Sequence, residues 1–508
     1  MNKHTEIRFE EAIEHCLTTQ GGYEHRQPEM YDPELALFPE DIVAFIEKTQ
    51  PKRWQALQEF HGERAKETLL SALNKELASK GSLHVLRHGF KCFGKNFRLA
   101  HFLPNSTLNP EAWEDYQKNS LTIARQIRFD PKDQTKSIDV LLSLNGVPVA
   151  TLELKNPMTN QNVEHAKNQY KNDRDPRCPL FRFKERALVH FAVDPDLAFM
   201  TTKLDGKNTF FLPFNRGNGQ GAGNPPVENN YRTAYLWENV LQKDSLMDIL
   251  ARFLHLEVRE TQVVTNKGIK MIKKETMIFP RFHQLDAVRE LVANAKIKGA
   301  GHNYLIQHSA GSGKSNSIAW LAHRLASLHN EENQKVFDTI VVITDRRVLD
   351  QQLQNTIYQF EHKQGVVEKI EENTQQLAKA LSGGVPIVIT TIQKFPFIAQ
   401  ALETLEQKGE GVTIQTEGRR FAVIVDEAHS SQSGETAMEL RKVLNKEGIA
   451  STIAEQVMDD DEESLSEEAK EVLMQEMLKR PHQKNLSFFA FTATPKFKTL
   501  AVFNEPGK

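Results

Sequence analysis

A glycine-rich stretch near the middle of the chain constrains the fold more than any other feature. It reads HSAGSGKS, follows the apolar run NYLIQ and leads into the helical pattern SNSIAWLAHRLASL. Between a strand and a helix, the backbone N–H groups of such a loop and the N-terminus of the helix can bind a phosphate group. A turn without a ligand is the alternative, but it does not explain why a strand and a helix flank it. The sequence therefore predicts a P-loop.

The expected roles of the P-loop residues follow from the chemistry of a nucleoside triphosphate. Lys314 is expected to reach the β and γ phosphates, and the hydroxyl of Ser315 is expected to bind Mg²⁺. The other residues predicted to bind ATP in this loop are His308, Ser309, Ala310, Gly311, Ser312 and Gly313. The predicted cofactors are therefore ATP and Mg²⁺.

The second half of the chain alternates apolar runs with helical patterns. TIVVIT, VPIVITT, FAVIVD and LSFFAFTAT are apolar throughout, which is typical of a parallel sheet covered by helices on both faces. FAVIVD ends in Asp426, and Glu427 follows, at the strand end where such sheets carry their chemistry. Asp426 is suited to bind Mg²⁺, and Glu427 is suited to polarise the water that attacks a phosphate.

Three charged residues lie in a predicted β-hairpin in the first half of the chain. The segment SIDVLLSLNGVPVATLELKNP has strand-like runs on both sides of an Asn-Gly turn. Asp139 and Glu153 could supply the carboxylates that Mg²⁺ prefers. Lys155 shares the face of Glu153 because side chains alternate along a strand, and its ammonium could stabilise charge on a phosphate. The hairpin is therefore a candidate metal site.

The register of this hairpin decides whether its carboxylates can bind one metal ion. A plain two-residue turn places Asp139 opposite Leu152, so that Glu153 points to the other face. A three-residue loop or a β-bulge moves the register by one and brings the charges to a common face. We therefore predict an odd loop or a bulge. The alternative is an ion pair between Asp139 and Lys155 on a solvated sheet face.

Composition predicts a soluble protein with several domains. The chain has 508 residues and a net charge of −3 at pH 7, so any binding to nucleic acid must be local. Cys16, Cys92 and Cys178 lie far apart without a CxxC pair, which predicts buried thiols rather than disulfides or a zinc site. No apolar run approaches the ~18 residues of a membrane span. We expect a cytoplasmic protein of a prokaryote that does not bind membranes.

SAGSGKS, DEAH and FFAFTATP together resemble motifs I, II and III of the superfamily 2 helicases. The general pattern GxxxxGK[ST] has glycine at its first position, where this chain has His308. Helicase-type loops commonly read AxxGxGK, so they also lack glycine at this first position. The resemblance implies that Gln284, in FPRFHQLDAV, reads adenine. It also implies contacts between DNA phosphates and Arg346, Arg347 and Lys394, in TDRRVLDQQL and ITTIQKF.

The D-x13-E-x-K arrangement of the hairpin resembles the core of the PD-(D/E)xK nucleases. This resemblance implies a further catalytic glutamine on the following helix, often in a QxxxY pattern. Gln169 in VEHAKNQYKND is the candidate, although the tyrosine stands beside it at Tyr170. An acid from the opening helix, one of Glu10, Glu11 and Glu14, could also approach the metal.

The order of all these motifs resembles the motor and cleavage (R) subunits of type I restriction-modification enzymes. The resemblance extends from QGGY and LELKNP through NQYKNDRDPR and NRGNGQGAGNPP to PRFHQLDAV, SAGSGKS, DEAH and TATP. It implies ATP-dependent translocation on double-stranded DNA and Mg²⁺-dependent cleavage, in complex with modification and specificity subunits. A DNA-repair helicase-nuclease and a DNA-stimulated ATPase with a non-catalytic hairpin are the alternatives.

The predicted fold class is α/β, with a PD-(D/E)xK nuclease-like domain followed by a RecA-like P-loop domain with a parallel sheet. We place the nuclease-like domain at residues 1–235, a helical and hairpin connector at 236–275, and the first RecA-like helicase lobe at 276–508. Within the first domain, LHVLRHG is predicted to begin a series of strands. A second lobe is absent from the sequence, so we expect an N-terminal fragment of a longer protein.

Overall fold

The computed structural model describes two compact units, residues 1–283 and 284–508. The described residues are 6–104, 108–157, 161–219, 221–265, 268–309, 311–344, 353, 356–358, 366–370, 376, 380–381, 383–391, 419–426 and 485–492.

The first unit is α/β. Its described helices are α1 (Glu6–Thr19), α2 (Pro39–Thr49), α3 (Pro51–His61), α4 (Ala65–Lys80), α5 (Ser82–His88), α6 (Pro110–Gln117), α7 (Val163–Asn172) and α8 (Lys243–Asp248). Its described strands are β1 (Tyr23–His25), β2 (Phe90–Cys92), β3 (Lys95–Phe97), β4 (Leu121–Arg128), β5 (Ser137–Leu144), β6 (Val147–Leu154), β7 (Val189–Val193), β8 (Ala198–Thr201), β9 (Leu212–Pro213), β10 (His255–Thr265) and β11 (Gly268–Ile278).

A seven-stranded mixed sheet forms the centre of the first unit, in the order β1-β4-β5-β6-β7-β8-β9. The pairs β1–β4 and β6–β7 are parallel, and the other neighbours are antiparallel. Helix α7 packs against β6 and β7, and α1 packs against β1 and β4. The two helices therefore hold the hairpin β5–β6 in the middle of the sheet.

The turn between β5 and β6 is buried inside the first unit. Asn145 and Gly146 have φ of 49° and 86°, the left-handed region that favours Asn-Gly in a two-residue hairpin turn. The Asn145 side chain donates to the carbonyl oxygen of Leu99 and accepts from the amide of Ser120, both at 2.7 Å. A Cβ on Gly146 would lie 2.6 Å from the carbonyl oxygen of Phe38. Glycine is therefore required by both conformation and space.

The segment LHVLRHG forms the short helix α5, so its prediction as a strand was wrong. Gly81 and Gly89 flank the helix with φ of 87° and 79°, and the amide of Gly89 donates to the carbonyl of Val85 at 2.8 Å. Leu83 and Leu86, three residues apart, are both buried. A short apolar run carries too little periodicity to distinguish a helix from a strand. The glycines at both ends allow the chain to begin and end a short helix here.

The second unit contains a six-stranded sheet in which every described strand pair is parallel. The described elements are α9 (Phe282–Lys298), β12 (Asn303–Gln307), α10 (Lys314–Ala326), β13 (Thr339–Thr344), β14 (Val367–Lys369), β15 (Ile387–Thr391), β16 (Phe421–Val425) and β17 (Leu486–Thr492). The strand order in the sheet is β12-β17-β16-β13-β15-β14. The predicted parallel sheet, and with it the α/β fold class, is confirmed.

The sulfur chemistry of the chain agrees with the sequence. Cys16, Cys92 and Cys178 are buried and form no disulfide, and burial is the main cause that raises the pKa of each thiol. None of the helices in the described ranges is long and apolar enough to cross a membrane.

Candidate functional site

A β-bulge interrupts the hairpin β5–β6 after the first two residue pairs next to the turn. Ser143 pairs with Pro148, but its neighbour Leu142 pairs with Ala150, so Val149 is an extra residue on β6. The predicted bulge is confirmed. The other possibility, an odd loop, was wrong, because the turn itself has two residues and the bulge alone supplies the shift of register.

The bulge brings the charged residues of the hairpin to one face of the sheet. Val140 pairs with Leu152, so Asp139 lies directly opposite Glu153, and Lys155 follows on the same side of β6. The exposed fractions of Asp139, Glu153 and Lys155 are only 5%, 0% and 7%. The solvated sheet face of the alternative interpretation is therefore not what the structure contains.

Asp139 is held at both carboxylate oxygens. Its Oδ2 accepts a hydrogen bond from the amide of Leu154 at 2.7 Å, and its Oδ1 accepts one from Nε2 of Gln126 at 3.3 Å. The same Nε2 donates to Oε1 of Glu10 at 2.9 Å. Gln126, a residue that sequence reasoning missed, therefore connects α1 to the carboxylate of the hairpin.

Of the three acids in the opening helix, Glu10 is the one that the fold brings to Asp139. Glu10 is buried, whereas Glu11 is exposed. Glu14 binds Nδ1 of His25 and lies 3.4 Å from Nη1 of Arg125. Glu10 and Glu14 lie on the same face of α1, one helical turn apart, so the position of the helix along the sheet decides which of them lies near Asp139.

Glu153 is fully buried and faces Arg174, a second residue that sequence reasoning missed. Nε of Arg174 donates to Oε1 of Glu153, and Nη2 of Arg174 donates to the carbonyl oxygen of Ser137 at 2.7 Å. Burial raises the pKa of Glu153 well above its usual range, and the neighbouring Asp139 raises it further, while Arg174 lowers it. Arg174 lies within the quoted run NQYKNDRDPR, but nothing in that run distinguishes it from the other basic residues.

The arrangement fits a hard divalent cation. Oε2 of Glu153 is buried and has no hydrogen-bond partner among the described residues, and the charge of Asp139 acts on the Glu153 carboxyl and raises its pKa. Within the described ranges no group of three or more His, Cys, Asp and Glu side chains forms a metal cluster. Mg²⁺ takes one or two carboxylates together with waters and substrate oxygens, so a buried pair is compatible with it.

Lys155 and Gln169 are the other two residues predicted for this site, and the charge of Lys155 lowers the pKa of Glu153. Nζ of Lys155 donates to the carbonyl oxygen of Leu154 at 2.8 Å, which keeps the ammonium at the end of β6. Gln169 is half-buried on α7, and in the described part of the chain it makes no hydrogen bond to Asp139 or Glu153. Their predicted catalytic roles stay predictions.

Tyr170, next to Gln169, turns into the interior instead. Its hydroxyl lies 2.8 Å from Oγ1 of Thr151, which in turn lies 2.8 Å from Nδ1 of His190. Burial and then the charge of Glu153 raise the pKa of Tyr170. Burial also lowers the pKa of His190 to about 3, so the ring is neutral. This polar row, on the face of β6 that carries Glu153, was not foreseen from the sequence.

The P-loop of the second unit has the conformation expected of a phosphate-binding loop. Gly311 and Gly313 have φ of 74° and 85°, and α10 begins at Lys314 directly after them. Burial lowers the pKa of Lys314, and the charge of Asp426, which follows β16, opposes this shift. The lysine and the acid predicted for one nucleotide site therefore interact electrostatically in the fold.

Gln284 contacts the P-loop directly. Its Nε2 donates to the carbonyl oxygens of Gly313 at 2.9 Å and Ser312 at 3.2 Å. A Cβ on Gly313 would lie 2.5 Å from this nitrogen and would displace the Gln284 amide, and the φ of 85° at Gly313 itself favours glycine. The predicted contact of Gln284 with adenine stays a prediction.

Three more residues predicted for the nucleotide site lie in the described part of the P-loop: His308, Ser309 and Ser315. His308 is buried, and its amide donates a hydrogen bond to the carbonyl oxygen of Thr492 at 2.9 Å. Ala310, Glu427, Arg346, Arg347 and Lys394 lie outside the described residues.

Two family models match the chain, and they match its two units separately. The model described as the type I restriction enzyme R protein N terminus (HSDR_N) covers residues 4–209, and the SWI2/SNF2 ATPase model covers residues 283–454. The first unit is therefore similar to the N-terminal part of the R proteins of type I restriction enzymes. The first match contains Asp139, Glu153 and Lys155, and the second contains the P-loop and Asp426. The predicted RecA-like lobe accordingly corresponds to an ATPase family.

Curated relatives carry the same family description. The chain is 25% identical over 338 residues to the "Putative type I restriction enzyme MjaIXP endonuclease subunit" of Methanocaldococcus jannaschii, covering 65% of this chain and 31% of that protein. It is 27% identical over 343 residues to the "Type I restriction enzyme HindI endonuclease subunit" of Haemophilus influenzae, covering 64% and 29%. The chain thus spans about a third of the length of the relatives that it matches.

One solved structure with a related description is the UvsW helicase from bacteriophage T4. It matches with a TM-score of 0.22 and 14% sequence identity, over 45% of this chain and 57% of that chain. The TM-score is too low to support an argument about the fold.

Proposed function

We propose that the chain carries the cleavage site and the first ATPase lobe of a type I restriction enzyme R subunit. In this proposal it couples ATP-dependent translocation on double-stranded DNA to Mg²⁺-dependent cleavage, in complex with modification and specificity subunits in a prokaryotic cytoplasm. The observation that carries the proposal is the buried pair Asp139 and Glu153, brought face to face by the bulge of β6. A structural hairpin has no reason to bury two carboxylates opposite each other, since each raises the cost of ionising the other.

In the proposed cleavage reaction, the residues of the first unit bind and orient the reacting groups. Asp139 and Glu153 would hold Mg²⁺, which when bound stabilises negative charge on the phosphate and activates a water. Arg174 and Gln126 keep the two carboxylates in place through the contacts described above. Lys155, at the end of the same face, provides the cation for charge that develops on the phosphate.

In the proposed ATPase reaction, the P-loop amides and Lys314 bind the phosphates. Ser315 and Asp426 would hold the Mg²⁺ that accompanies ATP, and Glu427 would polarise the attacking water. The electrostatic interaction between Lys314 and Asp426 supports this assignment. Gln284 would hold the P-loop in its glycine-dependent conformation through the two carbonyl contacts.

The two sites are tested separately in the reconstituted complex with the modification and specificity subunits. Asp139→Ala and Lys155→Ala are expected to abolish cleavage and to leave ATP hydrolysis and translocation intact. Lys314→Ala is expected to abolish ATP hydrolysis and translocation. Asp133→Ala is the matched control, because the side chain of Asp133 is 40% exposed and the residue is close to β5 in sequence.

Retained cleavage in Asp139→Ala, with intact ATP hydrolysis, would contradict the nuclease assignment. A DNA-stimulated ATPase with a non-catalytic hairpin would then be the better description. Cleavage that proceeds without the modification and specificity subunits, together with strand separation, would favour the DNA-repair helicase-nuclease instead.

A further inference from the structure

The strands β10 and β11 form a long two-stranded antiparallel ribbon in the first unit. Each strand has 11 residues, and they pair continuously from His255 opposite Ile278 to Thr265 opposite Gly268. In the described part of the chain, neither strand pairs with a third one. At about 3.4 Å per residue the ribbon is roughly 35 Å long, so it can reach well beyond its point of attachment.

The root of the ribbon is fixed to the rest of the first unit. Oε2 of Glu275 accepts from Nζ of Lys184 at 2.6 Å, and the carbonyl oxygen of Met277 accepts from Oγ1 of Thr202 at 2.7 Å. The Met277 side chain is buried. The root is therefore a rigid base from which the rest of the ribbon extends.

Beyond the root, the ribbon exposes apolar side chains. Val258, Met271 and Ile272 have exposed fractions of 36%, 50% and 42%. A two-stranded hairpin without a third strand or a covering helix is marginally stable in water. Ile272 lies on the same face as Arg259 and Lys274, whereas Val258 and Met271 lie on the face of Glu260 and Lys273.

The ribbon also has a net positive charge. Residues 255–278 contain five basic residues and three acidic residues, a net charge of +2 in a chain whose net charge is −3. The basic residues are Arg259, Lys267, Lys270, Lys273 and Lys274, and the acidic residues are Glu257, Glu260 and Glu275. Binding to nucleic acid must be local in this chain, and this segment has the required sign of charge.

The two faces of the ribbon differ in how their charges are compensated. On one face Arg259 lies directly opposite Lys274, and like charges in this position repel each other. Nη2 of Arg259 also forms an ion pair with Oε1 of Glu257 at 2.8 Å. On the other face Lys273 lies opposite Glu260 and forms an ion pair with it at 3.4 Å. Among the described side chains of the ribbon, the first face alone brings two cations together.

We propose that the Arg259–Lys274 face of the ribbon binds the phosphate backbone of double-stranded DNA. Adjacent phosphates would relieve the repulsion between the two cations, and a two-stranded ribbon is narrow enough to enter the major groove. Lysine is depleted at protein–protein interfaces but is common at phosphate contacts, which favours DNA over a protein partner. This inference rests on the proposed function only for the choice of DNA as the partner. The contact between the ribbon and the phosphates needs neither ATP nor Mg²⁺.

The test is fluorescence anisotropy of a labelled DNA duplex with the chain, without nucleotide and without Mg²⁺, over a series of salt concentrations. The double variant Arg259→Gln/Lys274→Gln is expected to bind several-fold more weakly at low salt. The slope of log K against log salt should become shallower by about 2, because each phosphate contact contributes about 0.9 to it. The conservative variant Arg259→Lys/Lys274→Arg is expected to retain the wild-type slope.

Lys273→Gln is the matched control, because it removes a lysine from the opposite face, where Glu260 compensates its charge. An unchanged slope in the double glutamine variant, with a melting temperature equal to that of the wild type, would overturn the proposal, as would absence of duplex binding by the wild type at low salt. Normal DNA binding with lost association to the modification and specificity subunits would identify a protein interface instead. Because no cleavage is measured, a failure of the proposed nuclease function leaves this test unaffected.

Discussion

Arg174 donates a hydrogen bond from Nε to one carboxylate oxygen of Glu153, and the other oxygen of Glu153 has no hydrogen-bond partner in the described structure. The guanidinium compensates part of the cost of burying a carboxylate next to Asp139. It also fixes the orientation of Glu153 and leaves Oε2 available for a ligand. In the proposed function, this oxygen is the one that Glu153 would offer to the metal ion.

Replacement of Arg174 is expected to reduce both stability and cleavage. Arg174→Met leaves Glu153 buried without its cation, and breaking a buried ion pair in this way costs about 3–5 kcal/mol. The free energy of unfolding from urea titration measures this loss. Arg177→Met is the control, because Arg177 is exposed and its ion pair with Asp175 lies at the surface; it should change the stability by less than about 1 kcal/mol. Equal effects of the two substitutions would contradict the role given to Arg174.

Glu10 is expected to support cleavage without contributing to ATP hydrolysis. Its carboxylate shares Nε2 of Gln126 with Asp139, so Glu10→Gln should disturb the position of Asp139 and lower the cleavage rate by about tenfold or more. Glu11→Gln is the matched control on the exposed side of the same helix. Single-turnover cleavage and ATP hydrolysis are measured for both variants. Equal cleavage rates would show that Glu10 is only structural.

Gly146→Ala is expected to destabilise the first unit strongly. Gly146 and Gly94 have φ of 86° and 74°, so alanine at either position costs about 1–2 kcal/mol for the left-handed backbone conformation. At Gly94 an added Cβ meets nothing within 4 Å, whereas at Gly146 it would lie 2.6 Å from the carbonyl oxygen of Phe38. The difference between the free energies of unfolding of Gly146→Ala and Gly94→Ala, measured by urea titration, isolates the steric cost. A difference near zero would contradict the close packing of Gly146 against Phe38.

His190 is expected to make the first unit sensitive to acid. Its pKa is lowered by burial to about 3, below the value of about 6.5 for an unfolded histidine. The unfolded state therefore binds the proton more readily, so the stabilising effect is complete above about pH 6.5 and declines as the pH falls toward 3, by up to about 1.4 kcal/mol per pH unit. His190→Asn, which keeps a polar group near Thr151, should show a smaller loss between pH 7 and pH 5 in urea unfolding. Parallel pH profiles for the variant and the wild type would count against this explanation.

The sequence by itself determined the features that depend on residues close together in the chain. HSAGSGKS, with a strand before it and a helix after it, was sufficient for the P-loop, and the apolar runs TIVVIT and FAVIVD were sufficient for buried parallel strands. Local periodicity and turn residues encode these elements directly. The same local signals failed for LHVLRHG, where flanking glycines and burial favoured a helix.

Only the tertiary structure decided the geometry of the candidate cleavage site. The bulge at Val149 sets the register that places Asp139 opposite Glu153, and no local signal distinguishes it from a three-residue loop. In the sequence, Glu10 is one of three equivalent acids. In the structure, α1 packs against the sheet and Gln126 connects Glu10 to Asp139, which lies more than a hundred residues later in the chain. Arg174 acquired its role in the same way, through its contact with Glu153. Register, burial and long-range contacts arise from the packing of distant segments, so a sequence read locally can propose the groups of a site but not their arrangement.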